Sequence, residues 1–546
     1  MNRLACIACM CCVFTWGCGK GGSAVERESA RGVLVTGNNA EPQSLDPHKA
    51  TSVADGRIIG CLLEGLVRPD AADDAAVHPG MAERWESNGR ADRWVFHLRP
   101  ARWSDGSPVR AGDFAYAWRR ILHPEFGGRY AEMLYPLENA REYQLGLVPW
   151  EAVGVETPDE RTLVLRLREP MPNLPLLLLH YTWFPLPAAH IERHGGMLDR
   201  RSEWTRPGLW VGNGAYVLAA HRCNDFLEVR ANPLYYRAAE VRNRGVRFLP
   251  VVNGFTETRM FFGGKMHITN NVPPEIAKSA AKRAPEAFRQ EPYYCTIFYR
   301  FNTTRPPLDD ARVRRALSLA VDRGALVRDV VRGAGQAARS FTPPGAGYEP
   351  PGPVAPEDDA ERVAEARRLL AEAGYPRGEG FPPLELMTTS REVQKIMAEA
   401  VQAMWWRNLG VHVEIRSCEW TAYKAAQQDM RYDISSSSWS GDYLDPAAFV
   451  EIFRSGGGNN NTGWSSARFD GLLAAARRAE SSAARLKALA EAEKVLLEEA
   501  PVAPLYQACR TYLKDPRVTG WHPLLLDMHP LDAVSVGACS GEGGGR

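Results

Sequence analysis

The sequence predicts an α/β or α+β protein built in more than one lobe, and three observations predict it. The chain has 546 residues, three to four domains' worth at about 150 residues each. Its composition, 45% hydrophobic and 24% charged, is globular and excludes a disordered or collagen-like chain. Strand-like alternation is scattered along the first third, whereas long stretches at helical spacing gather in the last third.

Taken in order, Gly32 to Asn38 is apolar with β-branched residues and reads as a short strand. Alternation returns at Trp94 to Leu98 and at Thr162 to Leu167. Turn clusters punctuate these strands, Ser104-Asp105-Gly106-Ser107-Pro108 and Thr157-Pro158-Asp159-Glu160. Asp113 is placed to cap a helix from Phe114 to Leu122. Prolines crowd from Pro343 to Pro356, which marks a surface loop. A helix follows from about Glu357 to Ala373, stopped by Gly374. Arg391 to Asn408 and Arg468 to Glu499 are two more helical stretches, the second rich in Ala. The Gly-rich tail from Ser540 to Arg546 is expected to be disordered.

Charge narrows the function classes. Lys+Arg is 66 and Asp+Glu is 65, a net charge of +1, so no basic excess argues for nucleic acid and none is expected as a partner. No apolar run of 18 or more follows the first 17 residues, so no transmembrane helix is expected. The N-terminus has a positive start, an apolar run from Leu4 to Trp16, then Gly17-Cys18-Gly19-Lys20. That order is an export signal. It resembles a bacterial lipoprotein signal, which implies a lipid-carrying Cys18 and a signal peptide over 1–18. Thr15 and Trp16 depart from the usual residues before such a Cys. Five of the 11 Cys lie in this signal; the other six have no CxxC spacing, so no zinc site is expected.

Several motifs then occur in a fixed order. Glu41-Pro42-Gln43-Ser44-Leu45-Asp46-Pro47-His48 comes first, then Leu63-Glu64-Gly65-Leu66 and Pro79 to Trp85. Trp94 to Arg99, Trp103-Ser104-Asp105-Gly106 and Gly212-Asn213-Gly214-Ala215-Tyr216 follow. Arg312 to Leu317 and Leu369 to Tyr375 complete the set. Together they resemble the extracytoplasmic peptide-binding proteins of ABC importers, solute-binding family 5, and within it the oligopeptide-binding branch. The resemblance implies a two-lobed periplasmic-binding-protein fold, α/β, with two crossovers and an additional inserted domain. It places lobe one at 33–63, 188–294 and 510–546, the inserted domain at 64–187, and lobe two at 295–509. Hinge closure around a ligand is the implied motion. It also implies an oligopeptide ligand, ABC permease and ATPase subunits as partners, a monomer held at the membrane only by lipid, and a periplasmic or cell-surface location.

A carrier of varied peptides gains affinity from what all peptides share, the backbone and the charged ends, and β-augmentation supplies it. The resemblance assigns the α-amine to Asp442, which otherwise reads as a turn residue. It assigns backbone pairing to Ser438, Trp439 and Ser440 on one side and Thr51, Ser52 and Val53 on the other. Tyr130 and Trp420 match ligand-contacting aromatics, and Asn270 matches a lobe-one contact. The positions that hold peptide C-termini in relatives match Ser436, Gln427 and Val393, all uncharged. An acidic pocket residue is replaced by Arg300, which alternates with Tyr299 and Phe301 and is expected to serve an acidic ligand group or a structural salt bridge. A family cysteine pair would match Cys295 and Ser440, so one half remains. Relatives bind dipeptides, cell-wall peptides, metal chelates, haem or sugars, so a non-peptide ligand and a sensory or chaperone-like role stay open.

No catalytic motif is evident, and no enzyme, cofactor or metal is expected. His190 and His194 sit at i and i+4 but lack the Glu of an HExxH zinc helix. Gly263-Gly264 and Gly456-Gly457-Gly458 lack the Lys-Ser/Thr context of a phosphate-binding loop, and no G-x-S-x-G is present.

Overall fold

The computed structural model describes residues 23–352, 356, 358–479 and 481–537. The signal segment with Cys18 and the Gly-rich tail lie outside them.

Three main sheets organise the described residues. The first runs in the order Val33–Gly37, Gly245–Leu249, Phe226–Ala231, Tyr216–Arg222; its first pair is parallel, the rest antiparallel. The second is antiparallel: Ala82–Ser87, Arg93–Leu98, Thr162–Arg166, Val155–Asp159. The third has six strands, Gly335–Ala337, Val502–Leu513, Phe288–Phe301, Ile434–Ser440, Leu384–Thr389 and Val413–Cys418. One continuous core joins the first two sheets, with Leu34, Ile58, Phe96, Trp118 and Val246 buried in it. The third sheet has a core on each face. Tyr299 and Phe301 pack with Trp405 on one side, and Phe298 packs with Phe341 and Phe449 on the other, as strand alternation requires.

Two long antiparallel strands, Phe288–Phe301 and Val502–Leu513, carry the chain across between the lobes. At one end of this pair the Thr269 N–H donates to the Leu513 carbonyl and the Leu513 N–H to the Thr269 hydroxyl, and Ile268 lies beside the first strand through the Gly37 N–H. Gly37 is required there: a Cβ would fall 1.7 Å from Glu257 Oε1.

The ordered motifs turn out to be joints. Asp46 receives both terminal nitrogens of Arg120, at 2.9 and 2.7 Å, and neither side chain is accessible to water. Burial favours the neutral acid, but the Arg120 charge and hydrogen bonds hold the Asp46 carboxyl down at about 2. His48 accepts from Arg120 at 3.0 Å and stays neutral, its pKa lowered to about 3 by burial and by that guanidinium. Glu41 receives His221 and the Asn224 N–H. Asn213 clamps the backbone of Glu64 from both sides, N–H and carbonyl.

Two helical expectations need correction. Asp113 is the third residue of a helix from Ala111 to Leu122; its carboxylate accepts the Arg110 N–H at 2.8 Å and the Trp103 indole at 3.2 Å. The stretch from Arg468 to Glu499 is two helices, Ala467–Arg477 and Ser482–Glu499. Ser481 breaks it by capping the second, its hydroxyl accepting the Ala484 N–H, a contact of about 1 kcal/mol that an uninterrupted helix would forgo. The other predicted helices hold, at Asp359–Glu372 and Glu392–Leu409.

Candidate functional site

The strand Ile434–Ser440 builds the site. It pairs along its whole length with Phe288–Phe301, from Ile434 opposite Phe301 to Ser440 opposite Cys295. With Leu384–Thr389 it pairs only at Ile434 and Ser435. Beyond Ser435, therefore, its second edge has no strand partner. The Ser436 carbonyl points to that edge, because it accepts the Tyr423 hydroxyl from the helix Trp420–Gln428. The two-residue period puts the backbone groups of Ser438 and Ser440 on the same edge. Gly441 fits this alternation by donating its N–H the opposite way, to the Tyr294 carbonyl at 3.0 Å. A row of unpaired backbone donors and acceptors is a template for an added strand. Trp439 is held half-buried, its indole N–H bonded to the Ala448 carbonyl at 2.7 Å, so it anchors the strand.

The edge ends at Asp442. Gly441 sets the turn; a Cβ there would lie 2.5 Å from the Tyr294 ring. The Asp442 carboxylate has no ion pair and no hydrogen bond among the described residues, so it is not serving a turn. The residue is exposed, yet the surrounding protein, Glu132 included, crowds its carboxylate. That crowding, then the charge of Glu132, pushes its carboxyl up to about 6. Across the gap stand Tyr130 and Glu132. The Tyr130 phenol is raised to about 12 by burial and by Asp442. Tyr130 packs edge-on against His180, and Tyr181 beside it donates its hydroxyl to the Ala50 carbonyl at 3.3 Å. Glu132 is a site residue that the sequence did not single out.

Thr51, Ser52 and Val53 follow Ala50 on this wall, but they are not a strand. Ser52 caps the helix Val53–Leu62 in a reciprocal box with Asp55, whose carboxylate takes the N–H groups of both Thr51 and Ser52. Short-range capping wins over extended pairing here because Ser-x-x-Asp satisfies helix donors locally. What remains toward the gap is the exposed Val53 at the helix start. Asn270 is turned inward: its amide oxygen accepts from Arg57 at 3.3 Å and Arg510 at 3.4 Å, and its N–H goes to Glu257. Arg57 and Arg510 both meet Asp527, so Asn270 belongs to a buried charge network beneath the site.

Arg300 is the second charged feature. It lies opposite Ser435 and is 3% exposed. Its Nε donates to Ser437 Oγ at 3.2 Å and its Nη1 to the Asn459 carbonyl at 2.8 Å. No carboxylate pairs with it among the described residues, which removes the structural salt bridge. Trp420, 55% exposed, starts the neighbouring helix and stacks on Tyr423. Two cavities of about 320 and 380 Å³ lie elsewhere, one by Pro306 and Tyr375, the other between Pro172 and Arg485; neither borders the open edge. Among the described residues no three His, Cys, Asp or Glu could share a metal ion, and His194 instead bonds the His190 carbonyl. Cys295 is a free, buried thiol facing Ser440.

Two lobes on two crossing strands, with an open strand edge and an uncommitted carboxylate between them, define a ligand-binding clamp. The family comparison gives that clamp its place. Residues 76–461 match the bacterial extracellular solute-binding proteins, family 5, and the chain belongs to that family. It is 33% identical over 514 residues to the periplasmic oligopeptide-binding protein OppA of Salmonella typhimurium, covering 92% of this chain and 91% of that one. It is 34% identical to the periplasmic murein peptide-binding protein MppA of Escherichia coli, over 89% of this chain and 90% of that protein. The structure of Haemophilus influenzae OppA in complex with RPPGFSPFR superposes with a TM-score of 0.77 at 31% identity, over 93% of this chain and 99% of that one.

Proposed function

We propose that this chain is an extracytoplasmic carrier that captures oligopeptides with a free α-amine between its lobes and delivers them to the permease and ATPase subunits of an ABC importer. One observation carries the reading: the edge beyond Ser436, which has no strand partner among the described residues, runs through Ser440 directly into the Asp442 carboxylate, which has no ion pair or hydrogen bond among them. A peptide laid along the edge supplies backbone partners, and its ammonium supplies the counter-charge. The named ligands of the relatives above support a peptide.

Calorimetry tests it. Asp442→Asn keeps the shape and removes the charge, so affinity for free-amine peptides should fall at least tenfold, about 1.4 kcal/mol. N-acetylated peptides should already bind weakly to the wild type. Equal affinity for free and acetylated peptides would take Asp442 out of this role and favour a non-peptide ligand. Membrane attachment rests on Cys18. Lipid there would hold the carrier at the surface, where stable anchoring needs more than one chain. Cys18→Ser should move the protein to the soluble fraction; an N-terminus without lipid mass in the wild type would refute the anchor.

A further inference from the structure

We propose that Arg300 and Lys424 form an anion-selecting pocket beside the open strand edge, one that takes a carboxylate of the bound ligand. The inference rests on the peptide-carrier reading and adds the charge of the ligand to it. Arg300 is buried, with two hydrogen bonds, both to uncharged oxygens. Its Nη2 has no hydrogen bond to a described residue. Lys424 is half-buried on the helix Trp420–Gln428, with its ammonium 5.7 Å from the Trp420 ring. It too makes no ion pair among the described residues. The two cations are close enough that burial and the Arg300 charge together lower the Lys424 pKa. Around them stand Tyr423 and Tyr432, both of which Arg300 senses.

Burying a charge without a partner is costly, and placing a second like charge near it adds repulsion. Arg314 and Arg323 are also buried without a carboxylate, but each of their guanidinium nitrogens bonds an oxygen of the chain, whereas Arg300 has the Phe298 ring at 5.3 Å and an Nη2 with no acceptor among the described residues. The partner that Nη2 lacks is one that a ligand oxygen can supply. The pocket is also in the right place to receive it. Arg300 bonds Ser437, and Tyr423 of the Lys424 helix bonds Ser436, so both cations flank the start of the edge that Asp442 ends. From Asp442 to Ser437 is five residues, or about 16 Å at about 3.3 Å per residue. A peptide with its ammonium at Asp442 thus presents its anionic group about five residues along. That group is an acidic side chain or the terminal carboxylate.

The test is a set of free-amine pentapeptides with Glu, Gln or Lys at position three, four or five. Each is made as C-terminal acid and amide and titrated by calorimetry into wild type, Arg300→Gln and Lys424→Gln. In the wild type, Glu at one of these positions should bind at least tenfold tighter than Lys. If the terminal carboxylate is the occupant, amidation of the pentapeptides should instead cost at least tenfold. Either preference should shrink below threefold in both variants. Lys424 lies half-exposed on a helix, so its variant remains informative if Arg300→Gln folds poorly. Peptides that bind without charge preference, or a preference that survives both substitutions, overturn the pocket while leaving the carrier intact. Failure of every peptide to bind overturns the carrier reading and the pocket with it.

Discussion

Arg120 and Arg300 are both buried, yet they are partnered in opposite ways. Arg120 is fully enclosed: Asp46 takes two of its nitrogens, His48 and the Met197 carbonyl accept from it, and the Phe126 ring lies 4.1 Å from its centre. Arg300 has two neutral acceptors and no acid among the described residues. The first is electrostatically complete within the chain and ties the Asp46 loop to the helix Ala111–Leu122. The second is incomplete, as is Asp442 at the far end of the same edge. The contrast shows how a binding protein distributes charge. Pairs closed inside the chain hold the frame, and in the proposed function the charges left open are the ones that meet the ligand.

The largest expected effect breaks the closed pair. Arg120→Met leaves Asp46 buried without a counter-charge and should cost about 3–5 kcal/mol in denaturant unfolding. Adding Asp46→Leu should recover much of that loss, since the cost is the orphaned carboxylate. Because the Asp46 pKa is lowered, the stabilisation is present above its unfolded value near 3.8. It is lost as pH falls from there through about 2. An Arg120→Met protein as stable as wild type would dissolve the comparison.

The next effect is on binding and has the other sign of shift. The free Asp442 carboxyl titrates at about 6, raised by crowding and by Glu132, and an ammonium ligand prefers its ionised form. Affinity for free-amine peptides should therefore fall about tenfold between pH 7 and pH 5. The Asp442→Asn protein should show a flat profile over that range. A wild-type profile equally flat would mean that Asp442 does not meet the ligand charge.

The smallest effect sharpens the contrast from the open side. Arg300→Gln removes a buried charge that the fold leaves unpaired, so the ligand-free protein should stay within about 1 kcal/mol of wild type or gain stability. A loss as large as that of Arg120→Met would make Arg300 a structural residue.

Local rules were enough for much of this protein. Val33–Gly37, Arg93–Leu98, Thr162–Arg166 and the helices near 359–372 and 392–409 follow from alternation, helical spacing and a terminal glycine, all short-range signals. The opposition of Arg300 to Tyr299 and Phe301 also follows from the two-residue period of a strand, and the ordered motifs named the family. Other outcomes needed the tertiary structure. Ser-x-x-Asp at Ser52 could be read as a helix start, but only the fold decides that capping prevails over a ligand-facing strand. Asn270 looks like a contact in sequence; Arg57 and Arg510, distant in the chain, draw it inward. Glu132 and Lys424 carry no motif, because their meaning lies in facing Asp442 and Arg300 across space. Sequence by itself determined the elements and the membership, since both rest on neighbours along the chain. Which charges are closed and which stay open was decided by the tertiary structure alone, because a charge's partner is set by packing between segments far apart in the chain.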